Sequence, residues 1–80
     1  MMVTVRFFAS YADKLGIRDT RLTLKDSARV ADVLASVAAL PGGDTLPPNP
    51  VVAVNQVYAS ADTMLKTGDE VALIPPVAGG

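Results

Sequence analysis

Neither cysteine nor histidine occurs anywhere in the 80 residues. Their absence removes thiol and imidazole nucleophiles, the usual proton shuttle near neutral pH, and the soft metal ligands. Charge of either sign is sparse. Seven Lys and Arg stand against eight Asp and Glu, a formal net charge of −1. With no basic block, the electrostatic footprint of a nucleic-acid binder is missing. No apolar run approaches the ~18 residues of a membrane span. The opening stretch, "MMVTVRFFAS", has neither the basic start nor the cleavage site of a secretory signal, so a cytoplasmic protein is expected. Whatever chemistry the chain supports must come from carboxylates, lysines, hydroxyls or its own terminus.

Half of the residues are hydrophobic and 19% are charged, an ordinary globular balance. A chain of this length builds one small domain around a modest core. One sheet and one good helix would consume it.

Residues 2–8, "MVTVRFF", alternate with period two, the signature of a strand. Val3, Val5 and Phe7 share one face, and Thr4, Arg6 and Phe8 the other. "SYADKLG" reads as a short helix over about 10–15, with Ser10 as N-cap, Asp13 three residues on and Gly16 as C-cap. "DTRLTLKD" alternates again, Leu22 and Leu24 inward. The longest helical pattern is "ARVADVLASVAALPGG", predicted as a helix over about 28–40. Val30, Val33, Leu34, Val37 and Leu40 form its apolar stripe. Asp26 or Ser27 is the expected cap, Asp32 lies in the first turn, and Pro41-Gly42-Gly43 stops it. "DTLPPNP" is a stiff loop. "VVAVN" reads as a buried strand with "QVYAS" returning beside it, and a turn at Thr67-Gly68-Asp69 leads into a last strand, "EVALIP".

The single long apolar stripe must lie across one face of the sheet. The expected fold class is α+β, a ubiquitin-like β-grasp: a mixed four- to five-stranded sheet, one main helix, one short helix and an extended C-terminal tail. Residues 1–76 would form the β-grasp domain and residues 77–80 a flexible Gly-Gly tail. Parallel pairing of the first and last strands follows from that fold assignment, not from the pattern alone.

Candidate chemistry is thin. Asp69-Glu70 is the one adjacent acidic pair, yet two carboxylates without a His or a third acid make a poor site, and turn chemistry explains Gly68-Asp69. Lys14, Lys25 and Lys66 are isolated. Arg6, Arg18, Arg21 and Arg29 could form a loose basic face for an acidic partner, but a solvated surface is the better reading. "PGGD" is a helix stop and not a phosphate loop. No metal site is expected.

Two features resist a purely structural explanation. If Val3, Val5 and Phe7 face the core, Phe8 faces outward, and the same parity sends Ala72 and Ile74 to the open face of the sheet. Phe8, Ile74 and Tyr58 would gather there as an exposed apolar patch, which marks a partner surface. Burying each against a partner is worth about 1.5–3 kcal/mol before association costs. The second feature is the ending, "VALIPPVAGG". Pro75-Pro76 forbids a continued ladder and stiffens the exit. Val77-Ala78-Gly79-Gly80 would then project, slim enough for a narrow cleft because Gly79 and Gly80 have no Cβ. Such a tail presents the α-carboxylate of Gly80. Activated by ATP as an acyl-adenylate and captured by sulfur, it becomes a thiocarboxylate that needs no cysteine.

On these residues the chain resembles a known family. "GDEVALIPPVAGG" (68–80), with "AVNQ" (53–56) and "VRFFAS" (5–10), is similar to the small sulfur-carrier subunit of molybdopterin synthase, across essentially the whole chain. The resemblance implies a β-grasp protein that is no enzyme on its own but the sulfur-donating subunit of a sulfurtransferase complex. It implies that Gly80 is adenylated by an activating enzyme that uses ATP, then thiocarboxylated from a sulfur donor. The tail would enter the large catalytic subunit and pass sulfur to the pterin precursor, in a complex of two small and two large subunits. No cofactor bound by this chain is implied. The family's contact positions fall on Phe8, Tyr58 and Ile74, with Pro75 and Pro76 beside them; Tyr58 and Ile74 differ from the residues often found there. The alternatives are the sulfur carrier of thiamine synthesis and a ubiquitin-like modifier conjugated through Gly80. A passive interaction domain is a further reading.

Overall fold

The computed structural model describes residues 1–46 and 50–76. Alternation becomes pairing in β1 (Met2–Phe7), an inner strand of the sheet. Strand β2 (Asp19–Thr23) runs antiparallel to it, with Val3 opposite Leu22 and Val5 opposite Thr20. On its other side β1 pairs in parallel with β5 (Glu70–Ile74), Val5 opposite Val71 and Phe7 opposite Leu73. Strand β3 (Val51–Val54) lies antiparallel to β5, and β4 (Val57–Ala59) closes the far edge, giving the order β2-β1-β5-β3-β4. Two helices complete the domain, α1 (Ser10–Leu15) and α2 (Val30–Ala38). This is the expected ubiquitin-like β-grasp, with five strands and the first and last of them parallel neighbours.

Helix α2 lays its stripe on one face of the sheet. Val30, Val33 and Val37 are buried with Val3, Val5, Phe7, Val71 and Leu73, while Leu34 and Leu40 pack at the margin. Each fully buried Val or Leu contributes about 1.5–3 kcal/mol. The opposite face carries Thr4, Arg6, Ala72 and Ile74, the other half of each alternation.

The helix starts differ from expectation. Helix α2 begins two residues late, with Arg29 at the N-cap and neither Asp26 nor Ser27 capping. Its first amides have backbone partners instead. Val30 N–H donates to the Thr63 carbonyl at 3.0 Å and Ala31 N–H to the Ala61 carbonyl at 3.0 Å. Asp32 then reaches back, its Oδ2 accepting the Arg29 N–H at 2.7 Å. Ser10 is likewise not the N-cap of α1. Ala9 holds that position at φ 48°, and its carbonyl accepts the Ala12 N–H at 3.1 Å. The bend turns the chain sharply after Phe8, so that Phe8 stays outside while Tyr11 enters the core. Gly16 does cap the end of α1 in the left-handed conformation.

After α2, Gly42 and Gly43 lead into a single 3₁₀ turn (Gly43–Thr45). Gly43 is a packing requirement: a Cβ there would collide with the Val37 carbonyl oxygen.

Candidate functional site

The outward face of the sheet gathers the three apolar residues expected there. Phe8, Tyr58 and Ile74 line one open concavity of about 320 Å³, with Ala53 and Ala72 between them. Tyr58 is 79% exposed and Phe8 39%, whereas Ile74 is half-buried. Exposure alone does not define the site, because Val57 is also 68% exposed but belongs to the opposite alternation. Strand geometry positions each residue. Ile74 ends β5 opposite Val51, and Tyr58 sits on β4 opposite Ala53. Phe8 follows β1 and donates its N–H to the Leu73 carbonyl at 3.2 Å, which holds it beside Ile74.

Two charged residues that the patch did not include stand at its rim. Arg6 Nη1 lies 3.4 Å from Glu70 Oε1, and its guanidinium carbon lies 5.6 Å from the centre of the Phe8 ring. The pair is about half exposed, so it contributes at most about 1 kcal/mol. Alternation places Arg6 outward on the same face as Phe8, but only the register puts it beside Glu70. The four arginines do not act together, since Arg29 reaches the Asp62 carbonyl near the start of α2.

Asp69 and Glu70 diverge, as the turn reading requires. Asp69 Oδ2 accepts the Lys66 N–H at 2.7 Å, and Oδ1 accepts the side-chain amide of Asn55 at 2.9 Å. Glu70 faces Arg6 instead. Among the described residues no group of three or more carboxylates lies close enough to hold a metal ion. No described helix is long and apolar enough to cross a membrane.

Burial pushes the Tyr11 hydroxyl above its ordinary range, and the oxygen has no hydrogen-bond partner among the described residues. It lines a cavity of about 100 Å³ with Leu34, Val37 and Leu46, on the helix side of the sheet and away from the patch.

The exit from β5 lies next to the patch. Pro75 is half-buried and Pro76 exposed, directly after Ile74. Val77, Ala78, Gly79 and Gly80 lie outside the described residues.

The sequence and the fold are similar to those of known proteins of matching length. The chain is 39% identical over 83 residues to the molybdopterin synthase sulfur carrier subunit of Chlamydomonas reinhardtii, covering all of both chains. The solved small archaeal modifier protein 1 of Haloferax volcanii superposes with a TM-score of 0.84 at 29% identity, covering 95% of this chain and 98% of that one. A chain in the complex of subunits 1 and 2 of molybdopterin-converting factor from Helicobacter pylori matches over the full length of both, with a TM-score of 0.73 and 27% identity. The ThiS family model matches residues 5–80, and the chain belongs to the ThiS family.

Proposed function

We propose that this chain is a sulfur carrier for molybdopterin synthesis, acting through the α-carboxylate of Gly80. The observation that carries the reading is the full-length, 39% identity to a molybdopterin synthase sulfur carrier subunit. The exposed Phe8–Tyr58–Ile74 patch beside the Pro75-Pro76 exit supports it.

The chemistry needs nothing from the folded body except delivery. A carboxylate near neutral pH is ionised and a poor acyl donor. Attack of the Gly80 carboxylate on the α-phosphorus of ATP, on an activating partner, releases pyrophosphate and leaves an acyl-adenylate. A sulfide-equivalent donor then attacks the carbonyl carbon and expels AMP, leaving a thiocarboxylate. Docked through its outward face on a large catalytic subunit, the carrier inserts residues 77–80. The thiocarboxylate sulfur attacks the pterin precursor, and water then cleaves the acyl carbon–sulfur bond, leaving the sulfur on the pterin and restoring the Gly80 carboxylate. Two small and two large subunits make up that assembly, and the setting is the cytoplasm. The chain is no enzyme alone, and ATP belongs to the activating partner.

A second reading is favoured by a specific likeness: the archaeal modifier protein superposes over nearly the whole chain. Under it, the adenylated Gly80 is joined to target lysines. The sulfur carrier of thiamine synthesis is the remaining alternative within the family.

The absence of cysteine makes the test clean. Protein from its native cells is alkylated with a thiol reagent, digested with trypsin and mapped by mass spectrometry. The fragment after Lys66 contains no methionine, so oxidation cannot imitate sulfur incorporation. A label on Gly80 is expected. An unmodified Gly80, even after incubation with ATP, an activating enzyme and a sulfur donor, would overturn the carrier reading. Isopeptide-linked conjugates through Gly80 would favour the modifier.

A further inference from the structure

One cross-strand row spans the outer face of the sheet. Arg6 pairs in register with Ala72, Ala72 with Ala53, and Ala53 with Tyr58. Neighbouring strands lie about 4.8 Å apart, which puts Arg6 and Tyr58 roughly 14 Å apart at their Cα atoms. Only two methyl groups lie between them. The concavity therefore has a flat apolar floor, an aromatic wall at one end and a cation at the other.

Arg6 is better placed to recognise a partner than an ordinary surface arginine. The Phe8 ring lies 5.6 Å from its guanidinium carbon and restricts the side chain. A guanidinium is weakly hydrated and is often stacked on aromatic rings at interfaces. Its one side-chain hydrogen bond among the described residues is the 3.4 Å contact of Nη1 with Glu70 Oε1. Five N–H donors are available to a guanidinium, so the edge away from Glu70 keeps unused donors. A partner lysine would compete with Arg6 for Glu70 and for Asp19, which lies opposite Arg6 on β2, and would bring two cations together. A partner carboxylate meets donors that are free, while Glu70 stays on Nη1.

We infer that this face selects a partner segment of defined chemistry: an apolar side chain laid on the Ala53–Ala72 floor, with an Asp or Glu beside it that accepts from Arg6. The inference rests on the docking reading above and assigns Arg6 as its specificity-determining residue. The occupant is the large synthase subunit.

Affinity of the full chain for the purified large subunit from the same organism tests this, at about 50 mM and about 300 mM salt. Arg6→Met keeps the apolar stem against Phe8 and removes the charge, Arg6→Lys keeps charge without the fork, and Tyr58→Ala tests the surface itself. Unchanged circular dichroism certifies each fold. Arg6→Met is expected to weaken binding about tenfold at low salt and to flatten its salt dependence. Arg6→Lys recovers the salt dependence but only part of the affinity. Arg6→Glu is expected to be worse than Arg6→Met and to be rescued by an acid-to-lysine change on the large subunit. Binding of Arg6→Met within twofold of wild type, or tighter, while Tyr58→Ala weakens it, overturns acid recognition and leaves the docking face standing. No effect from any variant removes the docking reading and the inference with it.

Discussion

Asn55 is tied to Asp69 across the end of the sheet. Its side-chain amide nitrogen donates to Asp69 Oδ1 at 2.9 Å, and its Oδ1 accepts the Glu70 N–H at 3.0 Å. The Asn55 backbone N–H adds a 2.8 Å bond to the Glu70 carbonyl. The tip of the β3–β4 hairpin is thereby fixed to the turn that launches β5. Gln56 and Tyr58, which line the concavity, follow directly from that tip.

Removing the clamp should loosen this end of the domain. Asn55→Ala loses both side-chain bonds and leaves a left-handed position (φ 49°) to a residue that disfavours it. A loss of about 1–2 kcal/mol is expected. Urea denaturation gives the number, and an unchanged midpoint would show that the clamp is energetically idle.

The hairpin itself carries strain at the next residue. Asn55 and Gln56 both have positive φ, 49° and 71°, the pattern of a two-residue type I′ turn. That turn favours glycine at its second position. Gln56→Gly is expected to stabilise the domain by about 1 kcal/mol, raising Tm by about 4–8 °C. Thermal unfolding followed by circular dichroism checks it, and a lower Tm would refute it.

The turn after α2 has no spare room. Gly43→Ala drives a methyl group into the Val37 carbonyl, so either the helix end or the 3₁₀ turn must move. A destabilisation of about 2–3 kcal/mol is expected, in the range of overpacked sites. Denaturant unfolding of this variant alongside Gly16→Ala, which meets nothing within 4 Å, separates crowding from backbone conformation.

Tyr11 sets an alkaline limit. Burial raises its folded pKa above the usual value near 10. Above that pH the unfolded chain releases a proton that the folded chain retains, so ionisation favours unfolding. The stability tied to Tyr11 is therefore complete below about pH 10 and falls as pH rises beyond it. Tyr11→Phe should flatten that decline. At neutral pH it should cost little or add up to about 1 kcal/mol, because the hydroxyl it deletes has no partner among the described residues. Unfolding curves between neutral pH and strong alkali, wild type against variant, decide this.

The sequence was informative where a single residue's parity or spacing carries the information. Alternation in 2–8 separated Phe7 from Phe8, and the Val30–Val33–Val37 stripe identified the helix that covers the sheet. Capping was less legible, because Ser10, Asp26 and Ser27 are all reasonable caps locally. The first amides of α2 instead meet the carbonyls of Ala61 and Thr63, thirty residues away along the chain.

Composition and pattern alone determined a small α+β domain, devoid of thiol and imidazole chemistry, with an apolar face left open and a Gly-Gly ending. These follow from residue type and from periods of 2 and 3.6, both local quantities. Tertiary structure decided which residues share the open face: the Arg6–Ala72–Ala53–Tyr58 row, the Arg6–Glu70 contact and the Asn55–Asp69 clamp. Each depends on strand order and register between segments far apart in the chain. Register is set by the simultaneous fit of all the buried side chains against α2, and no single stretch of sequence contains that fit.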